Sequence, residues 1–117
     1  MDLLLSKHQS SIENLYLHGC FTDNGFVNID KCKKIKILFI LNEHFITNKS
    51  MEKIFKISNI NNLMYNQHTG KEDIIDLKHI FQNSNLPNLA ELALRGVQTN
   101  FHTAAYFLPN WLDIILA

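Results

Sequence analysis

The amino-acid sequence predicts an α+β fold, or a small α/β fold, in which helices pack around a minimal sheet centred on residues 35–41. Those seven residues are almost wholly apolar and rich in β-branched and aromatic side chains, a pattern typical of a strand buried on both faces. Much of the remaining chain has apolar residues at helical spacing, as in residues 71–81. A nearly all-α fold, with residues 35–41 in an isolated hairpin, is the alternative.

The length and charge of the chain limit the classes of function. The 117 residues are enough for a single domain, residues 1–117, with one core. Lysine plus arginine equals aspartate plus glutamate at 11 each. This balance argues against a dedicated nucleic-acid or membrane-surface protein and makes self-association easier. Frequent asparagine and isoleucine, with a single arginine at Arg95, indicate an AT-rich genome.

The sequence predicts a cytoplasmic protein with reduced thiols. Asp2 stands where a secretory signal would be basic, and the apolar run at residues 3–5 is too short for one. No stretch has the length of a membrane span. Cys20 and Cys32 form no C-x-x-C pair, and the six histidines form no H-x-x-x-H pair. We therefore expect neither a metal nor a cofactor.

Local signals predict several helices and few strands. The neighbours expected for the central strand are residues 26–29, after a turn signal at residues 22–25, and residues 97–99. Residues 59–66 favour turns because they include four asparagines. No internal repeat is expected. The predicted helices cover residues 3–17, 51–57 (capped by Ser50), 71–81, 87–96, 100–108 and 109–116.

The first candidate site is the loop that follows the central strand. In open α/β sheets the ligand crevice lies beyond the carboxyl ends of the strands, and Asn42, Glu43 and His44 occupy that position. A glutamate and a histidine could supply a general base and a group that orients it. Adjacent residues of an extended chain point in opposite directions, so a solvated loop is the alternative interpretation.

The motifs around this loop also resemble a known family. The order LHG at residues 17–19, DNGFV at 23–27 and KILFILNE at 36–43 is similar to the opening of bacterial proteins in the uracil-DNA glycosylase-like superfamily. The resemblance covers about the first half of that fold. It implies that Glu43 positions a water and that His102 stands in the late histidine motif. The neighbours of Glu43 differ from the glycine or proline of the family. A truncated, repurposed or inactive relative is therefore also implied.

A second candidate is the only basic concentration in the chain, formed by Lys31, Lys33, Lys34 and Lys36 together with Lys49, Lys53 and Lys56 beyond the strand. Lysines near aromatic residues such as Phe39 could follow the phosphates of a nucleic acid. The favoured alternative is that they solvate the strand ends and protect a sheet edge from aggregation.

The third candidate is the C-terminal segment, residues 101–117, which is dense in large apolar side chains. Phe107, Trp111 and Ile115 belong to the core or to a surface that binds protein. We expect an apolar helix here that could bind a protein partner or a second copy.

Two functions follow from these observations. The first is a small non-enzymatic binding protein of the accessory or inhibitor type found in phages and mobile elements. It would act through protein–protein or nucleoprotein contact. This is favoured because no complete catalytic motif is present. The alternative is a uracil-DNA glycosylase-like enzyme, or its inactive relic, with Glu43 and His102 as catalytic residues.

Overall fold

The computed structural model of the chain describes residues 2–44, 46–67, 74–76, 79–80, 87–95, 98–99 and 113–116. Two α-helices, α1 (Asp2–His8) and α2 (Asn48–Ile54), and two 3₁₀ helices, Asp23–Phe26 and Ile29–Lys31, lie among them. The strands are β1 (Asn14–Gly19), β2 (Ile37–Asn42), β3 (Asn62–Gln67), β4 (Ile74–Ile75), β5 (Glu91–Arg95), β6 (Gln98–Thr99) and β7 (Asp113–Leu116).

One parallel sheet of five strands dominates the structure. Its order is β1-β2-β3-β5-β7, which is also the order of these strands along the chain. Every neighbouring pair is parallel, so the chain returns to the same end of the sheet after each strand. Strands β4 and β6 form a separate parallel pair. A parallel sheet whose strands follow one another in chain order is the arrangement found in strand-bearing solenoids.

The α+β class is confirmed, and the nearly all-α alternative is wrong. The sheet is larger than predicted, and the expected neighbours of the central strand are wrong. Phe26 lies in a 3₁₀ helix, residues 98–99 pair with β4, and β2 lies between β1 and β3. The central strand is also not buried on both faces, because Ile37, Phe39 and Leu41 are only partly covered.

The expectation that the chain has no internal repeat is wrong. The register aligns Asn14, Ile37, Asn62, Glu91 and Asp113, which are 23, 25, 29 and 22 residues apart. Each strand of the five-stranded sheet carries the same pattern in the sequence, an apolar residue followed by others three and five positions later. The unequal spacing conceals this repeat. Its members are Ile12, Leu15 and Leu17; Ile35, Leu38 and Ile40; Ile60, Leu63 and Tyr65; Leu89, Leu92 and Leu94; and Trp111, Ile114 and Leu116.

Four predicted helices are wrong, and this pattern explains three of them, at 3–17, 87–96 and 109–116. Apolar residues at positions i and i+3 share one face of a helix. The third apolar residue of the pattern, at i+5, follows at the two-residue spacing of a strand. The predicted helix at 3–17 ends at His8, and β1 follows it. Strand β5 replaces the helix at 87–96, β7 occupies residues of the predicted helix at 109–116, and β4 interrupts the one at 71–81.

Two further local predictions, for residues 59–66 and for the start of α2, differ from the structure. The segment 59–66, expected to turn, contains most of β3 because pairing with β2 outweighs the low strand propensity of asparagine. Helix α2 begins earlier than predicted, with Thr47 rather than Ser50 as its cap; the Thr47 side chain accepts a hydrogen bond from the Lys49 N–H. In the part of the chain that the structure describes, no helix is long and apolar enough to span a membrane.

The core lies between one face of the sheet and the helices. Alternate residues of the strands point into it, and the helices cover them with Phe26, Met51, Ile54 and Phe55, all fully buried. Burying such a side chain stabilises the fold by roughly 1.5–3 kcal/mol. The inward residues of the strands are Leu15, Leu38, Ile40, Leu63, Tyr65, Leu92 and Leu94.

Candidate functional site

The sheet face opposite the helices, called the open face below, carries an apolar and aromatic surface. It is defined by the outward residues Tyr16, His18, Phe39, Leu41 and Met64. Tyr16 is 61% exposed, while Phe39, Leu41 and Met64 are partly exposed. Large apolar side chains on a strand are normally directed into the core, so their exposure in a contiguous group is informative.

Tyr16, Phe39 and Met64 form one row across three neighbouring strands, because the register places them side by side. The rings of Tyr16 and Phe39 meet edge to face, with their centroids 5.2 Å apart and an interplanar angle of 88°. This arrangement is favourable for aromatic rings. Ala93 continues the row on β5.

The row borders a shallow depression of about 240 Å³, which is lined by Tyr16, Leu17, His18, Phe39, Leu41 and Met64. The lining contains two aromatic rings, aliphatic chains, one thioether and the imidazole of His18. No lysine or arginine is among these described lining residues. The depression is therefore suited to an apolar side chain rather than to a phosphate.

The carboxyl ends of the strands carry a buried hydrogen-bond network centred on Asn42. Its Oδ1 accepts from the Phe21 N–H at 2.8 Å, and its Nδ2 donates to the Phe21 carbonyl at 2.8 Å. Oδ1 also accepts from the His44 N–H at 3.3 Å, and Nδ2 donates to the Tyr65 hydroxyl at 2.8 Å. Asn42 is fully buried. Its amide thus joins the loop after β1 to β2 and β3 and is engaged within the protein.

The network continues through Tyr65 to Gln67. The Tyr65 hydroxyl donates to Gln67 Oε1 at 2.9 Å, and the same oxygen accepts from the Ile46 N–H at 3.2 Å. Burial raises the pKa of the Tyr65 hydroxyl to about 12; the hydrogen bond from Asn42 opposes this shift, and the charge of Asp23 adds to it. Tyr65 is therefore a neutral hydrogen-bonding group at ordinary pH.

A second polar cluster joins the first 3₁₀ helix to α2. Asp23 accepts hydrogen bonds from the Thr47 hydroxyl at 2.7 Å, from the Thr47 N–H at 3.1 Å and from the Ser50 hydroxyl. Burial by itself would raise the pKa of the Asp23 carboxyl. The hydrogen bonds from Ser50 and Thr47, helped by the charge of Lys49, outweigh it and lower that pKa below 3.8. The carboxylate therefore stabilises the N-terminal end of α2 and connects it to the first 3₁₀ helix.

Glu43 and His44 follow β2, as the sequence predicts, but they face different surroundings. Glu43 Oε1 lies 3.5 Å from His18 Nε2, with both side chains substantially exposed. His44 instead lines a pocket of about 210 Å³ with Thr22, Asp23, Asn24 and Thr47. The two side chains therefore do not share one pocket. Among the described residues, no cluster of three histidine, cysteine or acidic side chains is placed to hold a metal.

The predicted basic site lies at the other end of β2. Lys31, Lys33 and Lys34 are exposed before the strand, and Lys36 forms an ion pair with Glu13 at 3.4 Å between exposed side chains. A six-residue strand, about 20 Å long, separates them from the loop at residues 42–44. The lysines and the loop therefore do not form a single site.

The C-terminal candidates are placed only in part. His102, Phe107 and Trp111 lie outside the described residues. Ile115 lies in β7 opposite Ala93, so the predicted apolar helix that was to carry it is wrong. Association through this segment stays a prediction, and so does the catalytic pair of Glu43 and His102.

Sequence reasoning missed Tyr16 and Met64. The available signal was the repeat, since Tyr16, Phe39 and Met64 each stand between the two inward apolar residues of their strand. Aligning the repeats would have identified all three as one outward row.

Comparisons with known proteins add no family. The chain matches no protein-family model, no curated protein and no solved structure.

Proposed function

We propose that this protein is a small, non-enzymatic protein-binding module of the accessory or inhibitor type, and that its open face binds an apolar segment of a partner protein. The observation that carries the proposal is the exposed row of Tyr16, Phe39 and Met64 beside an apolar depression. Aromatic and methionine side chains are enriched where proteins bind one another, and methionine adapts its shape to different partners.

The architecture supports this assignment by analogy. Repeats of 20–29 residues, each with a strand and a helix or 3₁₀ segment, are typical of leucine-rich-repeat solenoids. The repeat spacings here are 22–29 residues. Solenoids of this kind use extended surfaces formed by successive repeats for binding. The open face is such a surface, since each of its rows takes one residue from each strand.

The polar groups at the carboxyl ends of the strands support binding over catalysis. The Asn42 amide and the Asp23 carboxylate are engaged in bonds that hold loops and helices together. Such groups stabilise the fold. Within the described part of the chain, the open face is a contiguous, partly exposed apolar surface, and it offers shape and hydrophobic contact rather than a reactive group.

Panning of a random displayed peptide library on the wild-type protein tests the proposal. We expect enrichment of peptides with aromatic or aliphatic residues. Phe39→Ala should weaken their binding at least tenfold, about 1.4 kcal/mol. Val27→Ala is the matched control, because Val27 is an apolar residue, 44% exposed, that lies outside the strands. Failure to enrich any peptide, or equal loss in both variants, would refute the proposal.

The alternative hypothesis is a uracil-DNA glycosylase-like activity. It is supported by the resemblance around residues 36–43 and by the contact of Glu43 with His18 at the ends of adjacent strands. Excision of uracil from single-stranded DNA should then be lost in Glu43→Ala. The control is Glu52→Ala, because Glu52 also contacts a histidine, His79, at 3.7 Å. Absence of excision by the wild-type protein rejects this alternative.

A further inference from the structure

We propose that two copies of this chain pair antiparallel through the free edges of their β1 strands, which joins the two sheets into one. The inference is independent of what the open face binds. It rests on the backbone of β1 and on the order of its side chains.

The outer edge of β1 has unpaired backbone groups. On the other edge, the Gly19 carbonyl accepts from the Glu43 N–H at 2.8 Å and the Glu13 carbonyl accepts from the Lys36 N–H at 2.7 Å. Successive residues of a strand direct their backbone groups to opposite edges. Those of Asn14, Tyr16 and His18 therefore point away from β2, and within the described residues they have no hydrogen-bond partner.

Nothing in the sequence of β1 protects this edge. Natural sheets guard an exposed edge with lysine, proline or a bulge, and the strand reads NLYLHG with continuous pairing to β2. Asn14, Tyr16 and His18 are all exposed. The strand is thus accessible to a second strand along its length.

The side chains of β1 are self-complementary about a two-fold axis at Tyr16. Antiparallel pairing then sets Tyr16 opposite Tyr16 of the second copy and Asn14 opposite His18. On the inner face, Leu15 meets Leu17 of the second copy. No like charges face each other, and apolar residues meet apolar residues, which is the arrangement that stabilises cross-strand pairs. Partner strands in such a two-fold interface present the same surface to each other.

Leu17 provides an apolar contact in the proposed interface between the two copies. It lies on the inner face, where it is only partly buried against the core. Leu15 of a second copy would cover it. The net charge of zero means that no long-range repulsion opposes association. Both open faces would lie on the same side of the joined sheet.

Sedimentation equilibrium of the full chain tests the pairing. We expect a dimer for the wild type and for Tyr16→Thr, which keeps the N–H group and a strand-forming side chain. Tyr16→Pro should raise the dissociation constant at least about tenfold, because proline removes the donor on the free edge and none of the bonds to β2. A monomeric wild type, or a Tyr16→Pro variant as dimeric as Tyr16→Thr, would overturn the proposal.

Hydrogen exchange of the wild-type protein gives a test that needs no variant. The amides of Tyr16 and His18 should be protected in concentrated solution and should exchange faster on dilution. The amides of Leu15 and Leu17, which face β2, should be protected at every concentration. Fast exchange of Tyr16 and His18 in concentrated solution would show that the edge is free and would refute the pairing.

Discussion

The side chain of Asn42 hydrogen-bonds both backbone groups of Phe21, accepting from its N–H and donating to its carbonyl at 2.8 Å each. One amide thus replaces the backbone partners that the chain loses where it leaves β1. Because Asn42 also bonds the Tyr65 hydroxyl at 2.8 Å, this single residue links three consecutive repeats. Asn42 therefore connects β2 to the segment after β1 and to β3, and it stabilises the fold.

Replacing Asn42 should therefore destabilise the protein strongly. Asn42→Leu leaves the part-buried N–H and carbonyl of Phe21 without their partner and removes one of the two hydrogen bonds of the Tyr65 hydroxyl. We expect a loss of about 2–4 kcal/mol in the free energy of unfolding. Urea denaturation measures it. Asn24→Ala, at an exposed position, should change the free energy by less than about 0.5 kcal/mol. Equal effects of the two substitutions would contradict the role given to Asn42.

Tyr65→Phe should show the same network from its other end. The substitution keeps the buried ring but removes a hydroxyl that accepts from Asn42 and donates to Gln67. We expect a loss of about 1–3 kcal/mol, measured by urea denaturation at neutral pH.

The free energy of unfolding at alkaline pH provides a second measurement on Tyr65. Its pKa in the folded protein is raised to about 12 from 10.0, so the folded state holds the proton more tightly than the unfolded state. The stabilisation from this group is complete below the unfolded pKa and is lost as the pH rises through 10 towards 12. Tyr65→Phe should lose less stability than the wild type over that range, and an equal loss would show that Tyr65 does not carry the effect.

Asp23 should make stability depend on acidic pH. The pKa of its carboxyl is lowered below 3.8 in the folded protein, so the unfolded state binds the proton more tightly. The stabilisation is present above the unfolded pKa and is lost as the pH falls through the folded pKa. Asp23→Asn should therefore be less stable than the wild type near neutral pH, with a difference that shrinks below 3.8.

Chemical denaturation across this pH range measures the effect of Asp23. Ser50→Ala removes one of the donors to the carboxylate and should reduce the dependence in part. A difference between wild type and Asp23→Asn that stays constant with pH would contradict the assignment.

Phe39 and Phe26 should differ in their contribution to stability. Phe26 is fully buried, and Phe26→Ala should cost about 3–5 kcal/mol through lost contacts and a cavity. Phe39 lies on the open face and is partly exposed, so Phe39→Ala should cost less than half as much. Urea denaturation of both variants checks this, and equal costs would mean that Phe39 belongs to the core.

The sequence was sufficient to predict β2 and the loop after it. Seven consecutive, mostly apolar residues leave little alternative to a central strand, and the rule that ligands bind beyond strand ends pointed to residues 42–44. Strands β1, β5 and β7 were missed because their inward residues begin with a helical spacing, whereas β3 was missed because its asparagines favour turns. In β3 the buried residues Leu63, Tyr65 and Gln67 alternate with partly buried ones, among them Asn62 and Asn66. Hydrogen bonding to β2 stabilises β3 as a strand, although its local sequence does not favour one.

The site was predicted less well, for a related reason. Asn42 and Glu43 are adjacent in sequence, yet Asn42 is fully buried in a network whose partners, Phe21 and Tyr65, lie 21 and 23 residues away. Such distant hydrogen bonds leave no local signature. Tyr16 on β1 likewise becomes part of a surface only when the register places it beside Phe39.

A chemical-shift titration of the labelled protein with a peptide selected by panning tests most directly whether the open face is the binding site. We expect the largest shifts at the open-face residues Tyr16, His18, Phe39, Leu41 and Met64, with small shifts in α2 on the opposite side of the sheet. Shifts centred on α2, on Lys31, Lys33 and Lys34, or on the loop at residues 42–44, with the open face unperturbed, would contradict the claim that this surface is the binding site.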